Sequence, residues 1–183
     1  IIKFYDHLPH HVMFLDGDAF QNVVHENVFK LTNFGLKEKS VQFSYLHLNK
    51  HRNIGKANEC HAAIFALVFE QEMPNSILSS YDGLNFVVSD EAILGRNIGR
   101  YQRIEHLFNH YLNGNYQENA IPGCGSENQI SHAFQFLFHV LFHKPQILPT
   151  REEDTSLPMF LRSVSQDEKS SRRVGSEFLS SFG

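Results

Sequence analysis

The sequence predicts a three-layer α/β domain with a mainly parallel central sheet, and three observations carry that expectation. Residues 11–15 (HVMFL) and 85–89 (NFVVS) are short apolar runs that stop at acidic residues, as buried strands ending at a sheet edge do. Residues 41–48 (VQFSYLHL) alternate apolar and polar side chains with β-branched and aromatic members, the pattern of a further strand. Segments of helical periodicity separate these runs, and strands joined by helices form crossover units with their carboxyl ends along one edge.

In chain order, the strand at 11–15 gives way at Asp16 and Gly17 to an acidic turn. Asp18 is placed to cap a helix in which Phe20, Val23, Val24, Val28 and Leu31 recur at helical spacing until Phe34 and Gly35 close it. After the strand at 41–48 comes a basic loop without an acid, 50–56 (KHRNIGK). Residues 57–72 read as a buried helix bearing Ala62, Ala63, Phe65, Ala66 and Phe69, with Asn58 and Glu59 in its first turn. Residues 75–83 read as turn, and the strand at 85–89 ends in the acidic pair Asp90 and Glu91. A helix is expected over 93–112, with Ile98, Tyr101, Ile104, Leu107 and Phe108 on one side and Arg96, Arg100 and Arg103 on another. A loop at 114–129, an apolar helix at 130–142 stopped near Lys144 and Pro145, and a short helix at 157–164 complete a domain spanning 1–164. Residues 165–183, rich in Ser and charge, read as a flexible tail.

Composition narrows the classes. A chain of 183 residues that is 42% hydrophobic and 20% charged can bury one substantial core and is excluded from wholesale disorder. The formal net charge of −4 means that nucleic acid would have to meet local basic patches rather than an overall positive field. Cys60 and Cys124 are far apart in sequence and in no CxxC arrangement, so the pair is expected to be reduced and the chain cytoplasmic. The opening IIKFYDHLPHH lacks the long apolar stretch of a signal peptide, and no run approaches the about 18 apolar residues of a membrane span.

On the expected sheet, Asp16, Asp18, Asp90 and Glu91 fall at two strand ends and Glu59 begins a helix beside them, where ligands of open α/β sheets collect. Clustered carboxylates repel one another. Mg²⁺ or Mn²⁺ relieves that repulsion, because these ions prefer oxygen ligands and keep waters able to attack a phosphodiester. Taken singly, each acid has a plainer role: Asp18 as a cap, Glu59 as a first-turn dipole partner, Asp90 as a turn residue.

The segment VMFLDGDAFQN resembles the opening strand of the NYN and PIN-like nuclease superfamily, an apolar strand ending in Asp, then a second acid, then a helix. KANECHAAIFAL is similar to the family's second motif at a helix start, and NFVVSDEAIL to its apolar strand ending in Ser-x-Asp, so the likeness spans roughly residues 12–94. The resemblance implies a metal-dependent endoribonuclease acting on single-stranded or structured RNA with Mg²⁺ or Mn²⁺. It assigns the metal to Asp16, Asp18, Glu59 and Glu91, with Asp90 as a shorter reserve ligand and Ser89 orienting the cluster. Lys50, Arg52 and Lys56 on one side and Arg96, Arg100 and Arg103 on the other would hold substrate phosphates. Glu59 and Glu91 stand where the family usually carries Asp, and Ala19 where it often carries Asn. That departure motivates a second expectation, a catalytically degenerate module that binds RNA or a protein partner, or pairs as a homodimer. FLDGDAF also resembles the first motif of haloacid-dehalogenase-type phosphatases, with Asp16 as the phosphoryl-accepting nucleophile and Asp18 as acid/base. A Cys60–His61 hydrolase ranks lower, because adjacent residues on a helix do not face each other.

Overall fold

The run FVVS is buried along its whole length, which is what a strand covered on both faces requires. Its neighbours decide where every strand end lies. A computed structural model describes residues 1–16, 24–39, 41–81, 83–112 and 121–164. In chain order, a 3₁₀ segment at Ile2–His7 precedes β1 (His11–Phe14), α1 (Glu26–Lys37), β2 (Tyr45–His47), β3 (Arg52–Lys56), α2 (Glu59–Phe69), β4 (Ile77–Tyr81), β5 (Phe86–Ser89) and α3 (Asp90–Leu94). Then follow α4 (Ile98–Leu112), α5 (Glu127–Leu137), a 3₁₀ segment at Phe138–Phe142 and α6 (Met159–Arg162).

The principal sheet has the order β1-β5-β2 and is antiparallel throughout. Phe14 pairs with Phe86 and His11 with Ser89, while His47 pairs with Phe86 and Tyr45 with Val88. This overturns the mainly parallel PIN-like sheet expected from the sequence. Both β1 and β2 run against β5, so they point the same way with α1 between them, as a crossover unit should. They are not adjacent, however: β5 enters the gap from the opposite direction, giving a split unit. Hydrophobic periodicity reports which residues are strands, but not which strand fills a gap or its direction.

Two further strands form where loop and turn were expected. β3 occupies the basic 50–56 stretch and β4 the 75–83 turn region, pairing antiparallel from Arg52↔Tyr81 to Lys56↔Ile77 with α2 in their connection. RNIGK and ILSSY lack a clean apolar alternation. Ser79 is nevertheless fully buried, because its hydroxyl accepts from Leu148 N (2.6 Å) and its N–H donates to Gln146 O (3.2 Å). A polar strand is thus satisfied by a chain segment remote in sequence.

Side chains alternate across the principal sheet. Val12, Phe14, Tyr45, Phe86 and Val88 join the larger core with Phe65, Ile104, Phe134, Leu137 and Phe142, whereas Met13, Leu46 and Val87 join a second core with Val28 of α1 and Leu161 of α6. Phe86 is the hub of the first, with ring centroids 4.9 Å from Phe14, 5.4 Å from Tyr45 and 5.2 Å from Phe138.

The helices follow the expected periodicity with shifted ends. α1 begins at Glu26 behind His25, and the expected cap Asp18 lies outside the described residues, as does 165–183. Gly35 does not stop α1: a Cβ there would lie 2.5 Å from Val41 Cγ1, so this glycine serves close packing. The stretch 93–112 divides into α3 and α4, leaving Arg96 in the break. The helix expected at 130–142 continues beyond α5 only as 3₁₀ turns.

Cys60 and Cys124 are joined by a disulfide, with their Cα atoms 4.7 Å apart. The expectation of reduced thiols is therefore corrected: 64 residues of separation in sequence say nothing about separation in space. Gly123 makes the approach possible. Its φ is 71°, and a Cβ there would come within 2.5 Å of Glu59 Cβ, so only glycine lets the loop press against the first turn of α2. Among the described residues no helix is long and apolar enough to cross a membrane.

Candidate ligand-binding pocket

Inserting β5 antiparallel sends the predicted acids to different places. Asp16 lies just beyond β1, beside the entry of β5, where its Oδ2 accepts from Leu84 N (2.8 Å) and Asn85 Nδ2 (3.4 Å) and its N–H donates to Asn85 Oδ1 (2.8 Å). Ser89, Asp90 and Glu91 lie at the other end of that strand, roughly 17 Å away at about 3.3 Å per residue. There Ser89 caps α3 by accepting from Ala92 N (3.2 Å), Asp90 takes Glu91 N (2.9 Å) and faces His10 Nδ1 (3.5 Å), and Glu91 is exposed. Glu59, also exposed, begins α2 beyond the Lys56↔Ile77 end of the β3–β4 ribbon, whereas the partners of Asp16 follow the Tyr81 end. The structure does not bring Asp16, Glu59 and Glu91 together. Among the described residues, no group of three or more His, Cys, Asp or Glu could hold a metal ion.

Several of the predicted phosphate-binding cations are engaged in the fold. Arg52 donates to Leu148 O, and Arg96 donates to Leu141 O and Val140 O (3.1 Å each). Arg100 lies over the Phe69 ring at 5.7 Å, and Arg103 pairs with Glu70 at 2.8 Å. Lys50 is half-buried and Lys56 exposed.

The sheet edge that carries Asp16 also holds a cavity, lined by other residues. A cavity of about 20 Å³, room for a water or two, is lined by Tyr45, His47, Tyr81, Leu148, Arg151 and Asp154, among others. β2 supplies Tyr45 and His47, β4 ends in Tyr81, and the turn after Pro149 brings in Arg151. The His47 and Tyr81 rings stack at 4.6 Å. Arg151 is 3% exposed; its Nη2 donates to Asn49 O (3.1 Å), while Nε and Nη1 have no partner. The Tyr45 hydroxyl, His47 Nδ1 and both side-chain polar atoms of Asn49 are also buried and unpartnered. Asn49 links the pocket to Asp16 around Gly83, whose φ is 78° and whose Cβ would lie 2.8 Å from Asp16 Oδ2 and 3.3 Å from Asn49 Nδ2.

Compared with family models, with curated proteins and with solved structures, the chain finds no match. The pocket is therefore interpreted from its own chemistry.

Burial dominates its electrostatics. It holds His47 well below the ordinary histidine range, with His139 and Arg151 acting in the same direction, and it pushes the Tyr45 and Tyr81 hydroxyls up. Burial also lowers the Arg151 guanidinium, against the opposing influence of Tyr81 and Glu152. His139 is brought down to about 4 by burial, so it stays neutral in the folded chain while the unfolded chain binds a proton below about 6.5. The stability tied to neutral His139 is present above pH ~6.5 and is lost as pH falls towards 4, at most about 3 kcal/mol. Melting curves between pH 7 and 5 are expected to show the midpoint falling with acid, and His139→Gln should flatten that slope. An equally steep slope in the variant would refute the assignment.

Proposed function

We propose that the chain is a binding domain whose ligand places a small polar group in the cavity at the carboxyl end of β2. The observation that carries this reading is the gathering of unpartnered, buried polar atoms around one cavity: the Tyr45 hydroxyl, His47 Nδ1 and Arg151 Nε and Nη1. A buried polar atom left without any partner costs roughly 1–3 kcal/mol, so these groups call for a partner from outside the chain, water or ligand. A ligand that satisfies them together recovers part of that cost on binding.

The metal-dependent ribonuclease and the phosphatase rest on sequence motifs centred on Asp16, and a ligating carboxylate is itself commonly hydrogen-bonded. Here Asp16 Oδ2 accepts two N–H groups of the strand entry. The bonded cysteines favour a thiol-oxidising compartment over the cytoplasm as the place of folding.

Titrating ¹⁵N-labelled protein with a panel of small polar molecules is expected to shift the amides of Leu46, His47, Tyr81, Leu148 and Arg151 as one group. A panel that leaves those amides unmoved would remove the reading. Tyr45→Phe deletes an orphaned hydroxyl at almost constant volume. It is expected to raise the melting midpoint by a few degrees, equivalent to about 1 kcal/mol, while weakening whichever ligand binds. A clear drop in midpoint would mean that the hydroxyl is bonded in the fold.

A further inference from the structure

We propose that β1 is the seam of a homodimer, in which two copies of this chain pair antiparallel about Met13 and continue the β1-β5-β2 sheet across a two-fold axis. The sheet ends at β1, and hydrogen-bond direction decides which backbone groups of that strand are left over. On the β2 side, Ser89 N–H donates to Ser44 O (3.0 Å) and Leu48 N–H to Asn85 O (2.9 Å), whereas Asp90 N–H donates to His10 O (3.0 Å) on the β1 side. Antiparallel ladders alternate, so Val12 and Phe14 bond to β5, while the N–H and C=O of His11 and Met13 point out of the sheet. Asp16 N–H, held by Asn85 Oδ1 at 2.8 Å, keeps the chain against β5 through Leu15, whose backbone continues the outward set. Among the described residues these outward groups have no partner. Burial agrees: every residue of β5 is buried, every residue of β1 is only half-buried, and Leu15 is 42% exposed.

Self-complementarity selects a second copy as the occupant. Turning one β1 onto another about Met13 sets Met13 opposite Met13, His11 opposite Leu15 and Val12 opposite Phe14. The outward residues thus meet outward residues, and each such pair can exchange both its N–H···O bonds. A slip of one residue would instead set outward groups against groups already bonded to β5. Residues 11–15 include no acid, Lys or Arg, so no like charges meet along the seam. At its ends His10, whose side chain is 94% exposed, falls opposite Asp16 of the second copy. Val12 and Phe14 both belong to the face of the larger core, and their pairing across the seam adds a β-branched to aromatic contact there.

The β3 edge shows the contrast. Ser79 N–H donates to Gln146 O (3.2 Å), so its opposite number Ile54 faces away from β4, with Arg52 and Lys56 in the same outward set. Self-pairing about Ile54 would set Arg52 against Lys56, and charged side chains on an edge strand guard against such pairing. β1 carries no such guard.

One short strand pair is smaller than an obligate interface, so the dimer is reversible and dilution separates it. Sedimentation of the wild type is expected to show a monomer–dimer equilibrium. Amide exchange at His11, Met13 and Leu15 should slow as concentration rises, while Val12 and Phe14, bonded within the monomer, stay slow throughout. Leu15→Pro removes an outward N–H at the end of an edge strand, where proline is tolerated. It should raise the dissociation constant by on the order of tenfold or more and leave the melting midpoint of the dilute monomer unchanged. A chain that stays monomeric up to millimolar concentration would overturn the proposal. So would a dimer in which the His11, Met13 and Leu15 amides exchange as fast as in the monomer, because another face would then form it. If Leu15→Pro fails to fold, the concentration dependence of those amides in the wild type decides alone.

Discussion

Reduction of the Cys60–Cys124 bond is expected to lower the melting midpoint by on the order of 10 °C. The bond closes a loop with a sequence separation of 64 residues, and the chain-entropy estimate for a loop of that size is about 4 kcal/mol at 25 °C. For a domain of this length, 1 kcal/mol moves the midpoint by roughly 2–4 °C. The effect should be concentrated locally as well. The bond pins the loop bearing Ile121 and Gly123 onto the first turn of α2, and Ile121 is itself buried in the larger core, 1% exposed. Thiol titration of denatured, unreduced protein should find no free cysteine, and melting curves with and without dithiothreitol should separate. Two titratable thiols in protein folded under oxidising conditions, or coincident curves, would show that the bond does not form. A Cys60→Ala, Cys124→Ala double variant should melt like the reduced protein, because the cross-link rather than either side chain carries the effect.

The sequence exposed the strands most clearly where burial is continuous. Residues 11–15 and 85–89 became β1 and β5 within a residue, because a run of apolar side chains has few alternatives. α2 and α5 were likewise anticipated from their periodicity. Strand direction was not legible, since the crossover from β1 through α1 to β2 is satisfied whether the next slot stays empty or is filled by β5 running backwards. That one fact relocates the candidate site. An acid at the end of β1 and acids at the end of β5 share an edge only if the strands are parallel, so the predicted cluster depended on a direction that no side chain reports. The pocket was hidden for a different reason. Arg151 occurs in TREED, where adjacent acids suggest an exposed ion pair, and Tyr81 ends a segment whose serines resemble a turn. Only the return of residues 146–151 alongside β4 and Asn49 buries that arginine and satisfies Ser79.

Asp16 distinguishes the two accounts of this edge by the sign of a stability change. As a member of an acidic metal cluster without its ion, it would be repelled by its neighbours, and Asp16→Asn would relieve that repulsion and raise the melting midpoint. The geometry found here predicts the reverse. Its carboxylate accepts the Leu84 N–H at 2.8 Å and the Asn85 amide at 3.4 Å, fixing the entry to β5 beside Gly83 at its positive φ. Asp16→Ala leaves both donors without that acceptor and should cost about 2–3 kcal/mol, a fall of roughly 5–10 °C. Asp16→Asn can still accept from both Leu84 N and Asn85 Nδ2 through its one remaining oxygen, but it loses the charge, so a smaller fall of about 1 kcal/mol is expected. Asn85→Ala should resemble Asp16→Ala, and the double variant should cost much less than the sum, because both substitutions break one network. If Asp16→Asn instead stabilises the protein and Mn²⁺ then raises the midpoint of the wild type alone, the carboxylate is held for an ion and the structural role assigned to it here is wrong.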